Sequence, residues 1–448
     1  MATENRGSVG VGLIGFGTIG TGVVKVLRQN AAVIEQRLGF PLRVVAIADL
    51  DTETDRGVDL EGIRFDADAD GLIADPQVDI VVELVGGYDV AKRLILAAIA
   101  AGKPVVTANK ALLALHGKEI FAAAGEAGVD VAFEAAVGGG IPILRSLREG
   151  LSANHIDSVL GILNGTTNYV LTEMESTQEP FEVVLKRAQE LGYAEADPSF
   201  DVDGIDAAHK LALLTAMAFG AEITFEQIPT EGIRALTPID FELARDFGYR
   251  IKLLGIAKCQ RDEAGAERIE ARVHPAMVPA GSMLANVDAA MNAIEVRGDA
   301  VGPTLYYGAG AGEMPTASAV VADLIEIARE IKRGGAGPVA PLSYLAHHLV
   351  PKPLVGLDEL SGRFYLRFTA ADEPGVLAKI TGALGDQGVG IESVVQKGGL
   401  EAGAGVPIIV LTHRANEAAL SAALVQVNDL AEVKAATVVV RIEEEAGR

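Results

Sequence analysis

The chain has little cysteine, little basic charge and no long apolar run. Its one cysteine, Cys259, stands among 448 residues. An internal disulfide is excluded, and so is a cluster of thiolate ligands, which fits a reducing cytoplasm. Lysine and arginine number 38 against 61 acidic residues, a formal net charge of −23. That leaves no basic field to hold a nucleic acid. No uninterrupted apolar run approaches the ~20 residues of a membrane span, and residues 1–9 lack the apolar core of a signal peptide. The expectation is a cytoplasmic protein with neither nucleic-acid nor membrane partners. Apolar content of 49% supports sizeable cores, and the length suits two to four domains.

What the chain does have is a glycine fingerprint, Gly15-Phe16-Gly17-Thr18-Ile19-Gly20, placed after the apolar run Val9–Ile14 and before the helix-like stretch Thr21–Leu38. A strand that ends in a tight glycine turn and opens a helix leaves bare N–H donors at a positive helix end, which suits a pyrophosphate. Gly15 permits the turn, Gly17 lets phosphates approach the backbone, and Gly20 lets helix and strand pack closely. A second strand, Arg43–Ala48, ends in Asp49, the residue expected to bind an adenosine ribose hydroxyl. No arginine adjoins Asp49, which leans toward NAD; Arg56 lies near enough to meet the 2′-phosphate of NADP.

Short β-branched runs alternate with helical stretches up to about residue 134. Candidate strands are Val9–Ile14, Arg43–Ala48, Asp79–Leu84, Val105–Ala108 and Val129–Phe133, with helices over Asp89–Ala101 and Ala111–Ala127. The alternation predicts a Rossmann-type, doubly wound parallel sheet in an α/β fold, with ligands at the carboxyl ends of its strands. From about 143 to 305 helical runs (Ile143–Leu151, Phe181–Leu191, Asp206–Phe219) mix with strands such as Ile156–Leu163 and Ile269–His274, a second α/β domain. A glycine-rich stretch, 298–312, precedes a helix from Thr316 to Lys332 and a linker over 334–341. The segment 363–443 reads β-α-β-β-α-β, a ferredoxin-like module.

Several residues suit chemistry. Asp206 and Lys210 stand four apart on one helix face, which alone reads as a surface ion pair. With Glu195 from the preceding loop they form an acid pair near a lysine, a set able to hold an ammonium group and deliver a proton. Lys110 follows a strand at the ligand end of the sheet, beside Thr107 and Asn109. The turn 164–168, Asn-Gly-Thr-Thr-Asn, is dense in polar groups and reads equally as a helix N-cap. The loop 134–141 offers one carboxylate and several carbonyls. Such an oxygen-only set suits a hard cation, although spacing alone fits a plain glycine-rich turn as well.

Together these motifs closely resemble homoserine dehydrogenase in its single-function form with a C-terminal ACT domain. The matching pieces are GFGTIG at 15–20, TANKALLA at 107–114, EAAVGGGIP at 134–142, NGTTNY at 164–169, LGYAEADPSFDVDGIDAAHK at 191–210 and GAGAGEMPTASAVVAD at 308–323. The resemblance implies interconversion of L-homoserine and L-aspartate 4-semialdehyde with NAD or NADP, in threonine, methionine and isoleucine biosynthesis. It implies Lys210 as proton donor and acceptor with Lys110 assisting, and Glu195 and Asp206 as substrate ligands. Gly15, Phe16, Gly17, Thr18, Ile19, Gly20, Asp49, Thr107, Lys110, Gly192 and Gly312 would lie at the cofactor. Glu134, with the carbonyls of Val137, Gly139 and Ile141, resembles a sodium site. The implied division is 1–142 for the dinucleotide, completed by 306–340; 143–305 for substrate and dimerisation; and 360–445 for the ACT domain. That domain, with its typical DEPGVL turn at 372–377, implies regulation by an amino acid, by analogy L-threonine. A homodimer or homotetramer is expected.

Two other readings compete. An aspartate-semialdehyde dehydrogenase needs a nucleophilic thiolate, and Cys259 ends a largely apolar stretch with no histidine motif nearby. A non-catalytic sensor of NAD and an amino acid would have no use for Glu195, Asp206 and Lys210.

Overall fold

The structure is a computed structural model that describes residues 7–335, 337, 340–397 and 405–444. Parts of the expected linker 334–341, and the outer limits 1 and 445 of the expected domains, lie outside the described residues. No described helix is long and apolar enough to cross a membrane. The chain divides into two units. One holds 1–159, 208–228 and 291–352; the other holds 160–207, 229–290 and 353–448.

The first unit is organised by six parallel strands: β1 (Val9–Ile14), β2 (Leu42–Ala48), β3 (Arg64–Asp66), β4 (Ile80–Glu83), β5 (Val105–Thr107) and β6 (Val131–Ala132). Their order, β3-β2-β1-β4-β5-β6, reverses direction at β1, the switch point where such sheets bind dinucleotides. The helices between them are α1 (Thr18–Gln29), α2 (Ala31–Leu38), α3 (Ala69–Ala74), α4 (Asp89–Ala100) and α5 (Lys110–Ala127). The single helix expected after the fingerprint is two, broken at Asn30, whose non-helical backbone ends α1 and starts α2. The helix Glu313–Arg333 joins this unit. Its apolar stripe of Ala317, Val320, Val321, Leu324 and Ile327 is buried with Val23, Val24 and Leu27 of α1 and the strands β1 and β4. Each such Val, Leu or Ile contributes on the order of 1.5–3 kcal/mol on burial.

In the second unit two long strands, Tyr249–Arg261 and Glu267–Pro279, pair antiparallel over their whole length. The terminal module has strands Ser361–Ala370, Ile391–Gln396, Val406–Thr412 and Val433–Ile442, with helices Val376–Asp386 and Glu417–Asn428. Its sheet order is 433–442, 361–370, 406–412, 391–396. Phe364, Leu366, Phe368, Ile380, Leu384, Ile408, Leu420 and Val427 fill its own core.

The outer edge of strand 267–279 is covered by three separate segments. Ile269 exchanges backbone hydrogen bonds with Pro353 and Val355 (both 2.9 Å), and Val273 exchanges them with Pro229 and Glu231 (2.9 and 2.8 Å). The terminal strand runs parallel at Ala276 and Met277, and Glu443 N–H donates to Met277 at 2.9 Å. The sequence reading found only the middle of this strand, because charged Glu267 and Arg268 open it and Pro275 and Pro279 break the β pattern at its far end.

Candidate active site

The fingerprint turn is built as its residue types require. Gly15 has φ +97°, and a Cβ there would meet the Leu84 carbonyl carbon at 2.6 Å. A Cβ on Gly20 would meet the Gly15 carbonyl oxygen at 2.3 Å, whereas one on Gly17 would meet nothing. The turn therefore leaves open space at Gly17, the N-cap of α1. Thr18 is exposed and Ile19 half-buried beside it. Phe16 is buried, edge-on to Phe65 at 5.5 Å between centroids.

Asp49, at the end of β2, is tied into this turn. Its Oδ2 accepts from Phe16 N–H at 2.5 Å, and its Oδ1 from Asp51 N–H at 2.9 Å. Arg56 lies 3.7 Å from Asp49 Oδ1 and over the Phe16 ring. Acid and guanidinium thus stand side by side at the carboxyl end of β2.

Glu83 closes β4, fully buried, and was missed by the sequence reading. It accepts from Val85 N–H (2.9 Å), Gly86 N–H (3.3 Å) and Thr107 Oγ1 (2.7 Å). Burial pushes its carboxyl up, against these three donors. One side chain fixes the ends of β4 and β5, where the cleft of this sheet type opens. The available signal was a carboxylate at the end of an otherwise apolar strand. Thr107 Oγ1 in turn accepts from Asn109 N–H at 3.0 Å, and Asn109 caps α5. Lys110, half-buried, is the first residue of α5. Gly312, φ +122°, is the N-cap of the helix Glu313–Arg333.

Glu134 follows β6 in a short 3₁₀ turn and is buried. Its two oxygens accept from Leu144 N–H (2.9 Å) and Arg145 N–H (2.8 Å), and its own N–H donates to Asp323. Burial pushes the Glu134 carboxyl up; burial and the Glu134 charge push Asp323 up to about 8. Arg145 and Arg148 pair with Glu326 beside them. The loop over Gly138 and Gly139 reverses on positive φ, and a Cβ on Gly139 would meet Gly310 at 2.5 Å. The donors of this loop are oxygens only, which fits a hard cation and not zinc. Among the described residues no cluster of His, Cys, Asp and Glu forms a conventional metal site.

In the second unit, Asn164 is both helix cap and clamp. Its Oδ1 accepts from Thr167 N–H at 2.8 Å, capping the helix Gly165–Thr177. Its amide nitrogen donates to Asp201 Oδ1 at 2.7 Å and to Asp206 Oδ2 at 2.8 Å. The turn read as an N-cap is one, and the same side chain also holds Asp201 and Asp206. Asp206 and Lys210 lie one turn apart on the helix Ile205–Phe219. They are only 4% and 8% exposed, so the surface-pair reading fails: charged side chains this buried require partners. Glu195 stands exposed on its loop, with its carbonyl accepting from Gln189 at 2.9 Å. Gly192, φ +78°, turns the same loop. Cys259 sits half-buried within strand 249–261.

Known proteins match this chain over nearly its whole length. A family model for the NAD-binding domain of homoserine dehydrogenase matches residues 15–134, one for homoserine dehydrogenase matches 142–325, and one for the ACT domain matches 364–432. The homoserine dehydrogenase of Pseudomonas aeruginosa is 47% identical over 97% of this chain and 99% of its own. That of Neisseria gonorrhoeae is 46% identical over 97% and 98%. The crystal structure of a homoserine dehydrogenase from Thiobacillus denitrificans superposes with a TM-score of 0.89 at 48% identity, covering 98% of both chains. With the family models and full-length relatives in agreement, the chain belongs to the homoserine dehydrogenase family.

Proposed function

We propose that the chain interconverts L-aspartate 4-semialdehyde and L-homoserine with NADP or NAD, at the branch leading to threonine, methionine and isoleucine. The observation that carries this is the burial of Asp206 and Lys210 one turn apart, with Asn164 fixing the acid. Asp206 and Glu195 hold the substrate ammonium. Lys210 stabilises the developing alkoxide and donates a proton to it, with Lys110 assisting at the same oxygen. A bound reduced nicotinamide supplies the hydride for the aldehyde carbon. In the oxidising direction neutral Lys210 accepts the hydroxyl proton, so oxidation is favoured at high pH.

The turn 15–20, Asp49, Thr107, Lys110, Gly192 and Gly312 form the proposed cofactor surface. Glu134 and the carbonyls of Val137, Gly139 and Ile141 are the proposed sodium ligands, supported by their oxygen-only chemistry. We divide the chain as 1–142 with 306–340, 143–305 and 360–445. An amino acid, by analogy L-threonine, acts through the last domain. We infer a cytoplasmic homodimer or homotetramer.

The test is homoserine-dependent reduction of NAD and of NADP at high pH, with and without threonine. Activity lost on adding threonine supports both chemistry and regulation. Activity without that loss keeps the enzyme and removes threonine as effector. Folded protein inactive with both cofactors would overturn the reaction.

A further inference from the structure

A buried cation that the reaction does not use stands behind the helix whose cap holds Asp206. Lys252, on strand Tyr249–Arg261, is 1% exposed. Its Nζ donates to the Val287 carbonyl at 2.6 Å, to Asp288 Oδ1 at 3.3 Å and to Asn168 Oδ1 at 3.4 Å. Burial and the Arg250 charge pull its ammonium below the usual lysine range, against Asp288. A buried ion of this kind is a weak source of net stability, because desolvation offsets its attractions. What it supplies is placement.

Asn168 is the centre of that placement. It is 1% exposed and stands one turn after Asn164 on the helix Gly165–Thr177. Its Nδ2 donates to the carbonyls of Val287 and Ala289, both at 3.0 Å. One turn further on, Thr172 Oγ1 accepts from Ala289 N–H at 3.2 Å and donates to the Asn168 carbonyl at 2.7 Å. Ala289 is held at φ +56°, a left-handed conformation that a non-glycine residue keeps only where its surroundings fix it. Arg250 clamps the next turn, donating to Glu175 from Nε (2.9 Å) and Nη2 (2.7 Å) and to Asp288 from Nη2 (2.8 Å). Asn164, Asn168, Thr172 and Glu175 thus form one polar stripe at helical spacing. The last three are pinned to the loop 287–289 and the strand 249–261, and the first holds Asp201 and Asp206.

We propose that Lys252 is a positioning residue for homoserine binding. With Asn168 and the Val287 carbonyl it fixes the helix 165–177 in rotation and along its axis, and the cap Asn164 carries that placement to Asp206. This rests on the reading of Asp206 as a substrate ligand. A slide of a single residue rise, ~1.5 Å, would break the Asn164 bonds of 2.7 and 2.8 Å to the two acids.

The experiment is a double-mutant cycle in the full-length protein, Lys252→Met against Asn164→Ala, read by homoserine oxidation kinetics and by melting temperature. Met keeps the length of the side chain and removes its donors. Lys252→Met is expected to raise the KM for homoserine about fivefold, the scale of coupling through packed networks, with kcat within about twofold and the cofactor KM unchanged. In the double variant the two increases do not multiply, because both act through one cap. A KM for homoserine that Lys252→Met leaves unchanged overturns the proposal even if the melting temperature falls, and so do increases that multiply. If Asn164→Ala alone leaves that KM unchanged, the substrate role of Asp206 falls and the proposal with it. Should Lys252→Met not fold, Thr172→Val decides by the same cycle, since it frees Ala289 N–H from the helix while keeping the side-chain shape.

Discussion

Asp49 Oδ2 accepts the backbone N–H of Phe16 at 2.5 Å. The acid that would select the ribose therefore also fixes the glycine turn that would hold the pyrophosphate. With Arg56 beside both, cofactor choice and turn geometry are coupled. Arg56→Ala should lower kcat/KM with NADP about tenfold or more, the loss of one charge-assisted contact of roughly 1.5–3 kcal/mol, and change that with NAD far less. Asp49→Asn should lower both. Steady-state kinetics with each cofactor checks this, and an unchanged NADP-to-NAD ratio in Arg56→Ala removes the guanidinium from recognition.

Lys210 and Asn164 should fail differently. Lys210→Ala should cut kcat by ~10²–10⁴, the usual range for a general acid–base group, with cofactor affinity preserved. Asn164→Ala releases Asp201 and Asp206 and should raise the KM for homoserine more than it lowers kcat. It should also cost about 1 kcal/mol of stability as a lost helix cap. Equal effects of both changes on kcat and KM would contradict the division of roles.

If Glu134 and its neighbouring carbonyls hold a cation, sodium must stabilise the fold by mass action. The melting temperature should rise with sodium at constant ionic strength, against tetramethylammonium. Glu134→Gln should weaken that dependence at least tenfold in apparent affinity. A parent protein indifferent to sodium would leave the loop as a structural turn.

Glu330 gives a pH dependence of known sign. Burial and the neighbouring Asp130 push its carboxyl up to about 7 from 4.5. Asp130 also accepts Gly337 N–H at 3.0 Å. The proton retained in the fold stabilises it fully below about pH 4.5, and that contribution is lost as pH rises through about 7. Asp130→Asn removes the repulsion and should raise stability at pH 8, by on the order of 1 kcal/mol given the partial exposure. It should leave stability at pH 5 almost unchanged. Denaturant unfolding at the two pH values decides it.

The parallel sheet and the terminal module were legible because apolar runs and glycine caps mark their strands and helices directly. β3 and α3 were not, since residues 51–79 are mostly charged or turn-forming and these elements span only three and six residues. Gly302–Ala309 is a strand although glycine dominates its surroundings, because pairing with Met291–Gly298 supplies the order that propensity lacks. Lys210, Asp206 and Asn164 were legible as residues but not as a buried group. Helical spacing gives the face a residue shares, whereas burial depends on what tertiary structure packs against that face. Glu83 showed only as a carboxylate ending an apolar strand; its three partners come from two strand ends brought together by folding.

The edge of strand 267–279 is held at Ile269, Val273 and Met277 by three segments far apart in sequence. Removing the terminal module would strip the cover from Met277, and a cut before Pro353 would uncover Ile269 as well. The edge would then be held only at Val273, by the segment 229–231, with backbone donors and acceptors open on either side of it, the kind of edge on which chains aggregate. The module therefore also shields this strand from non-specific edge pairing, whether or not it binds anything.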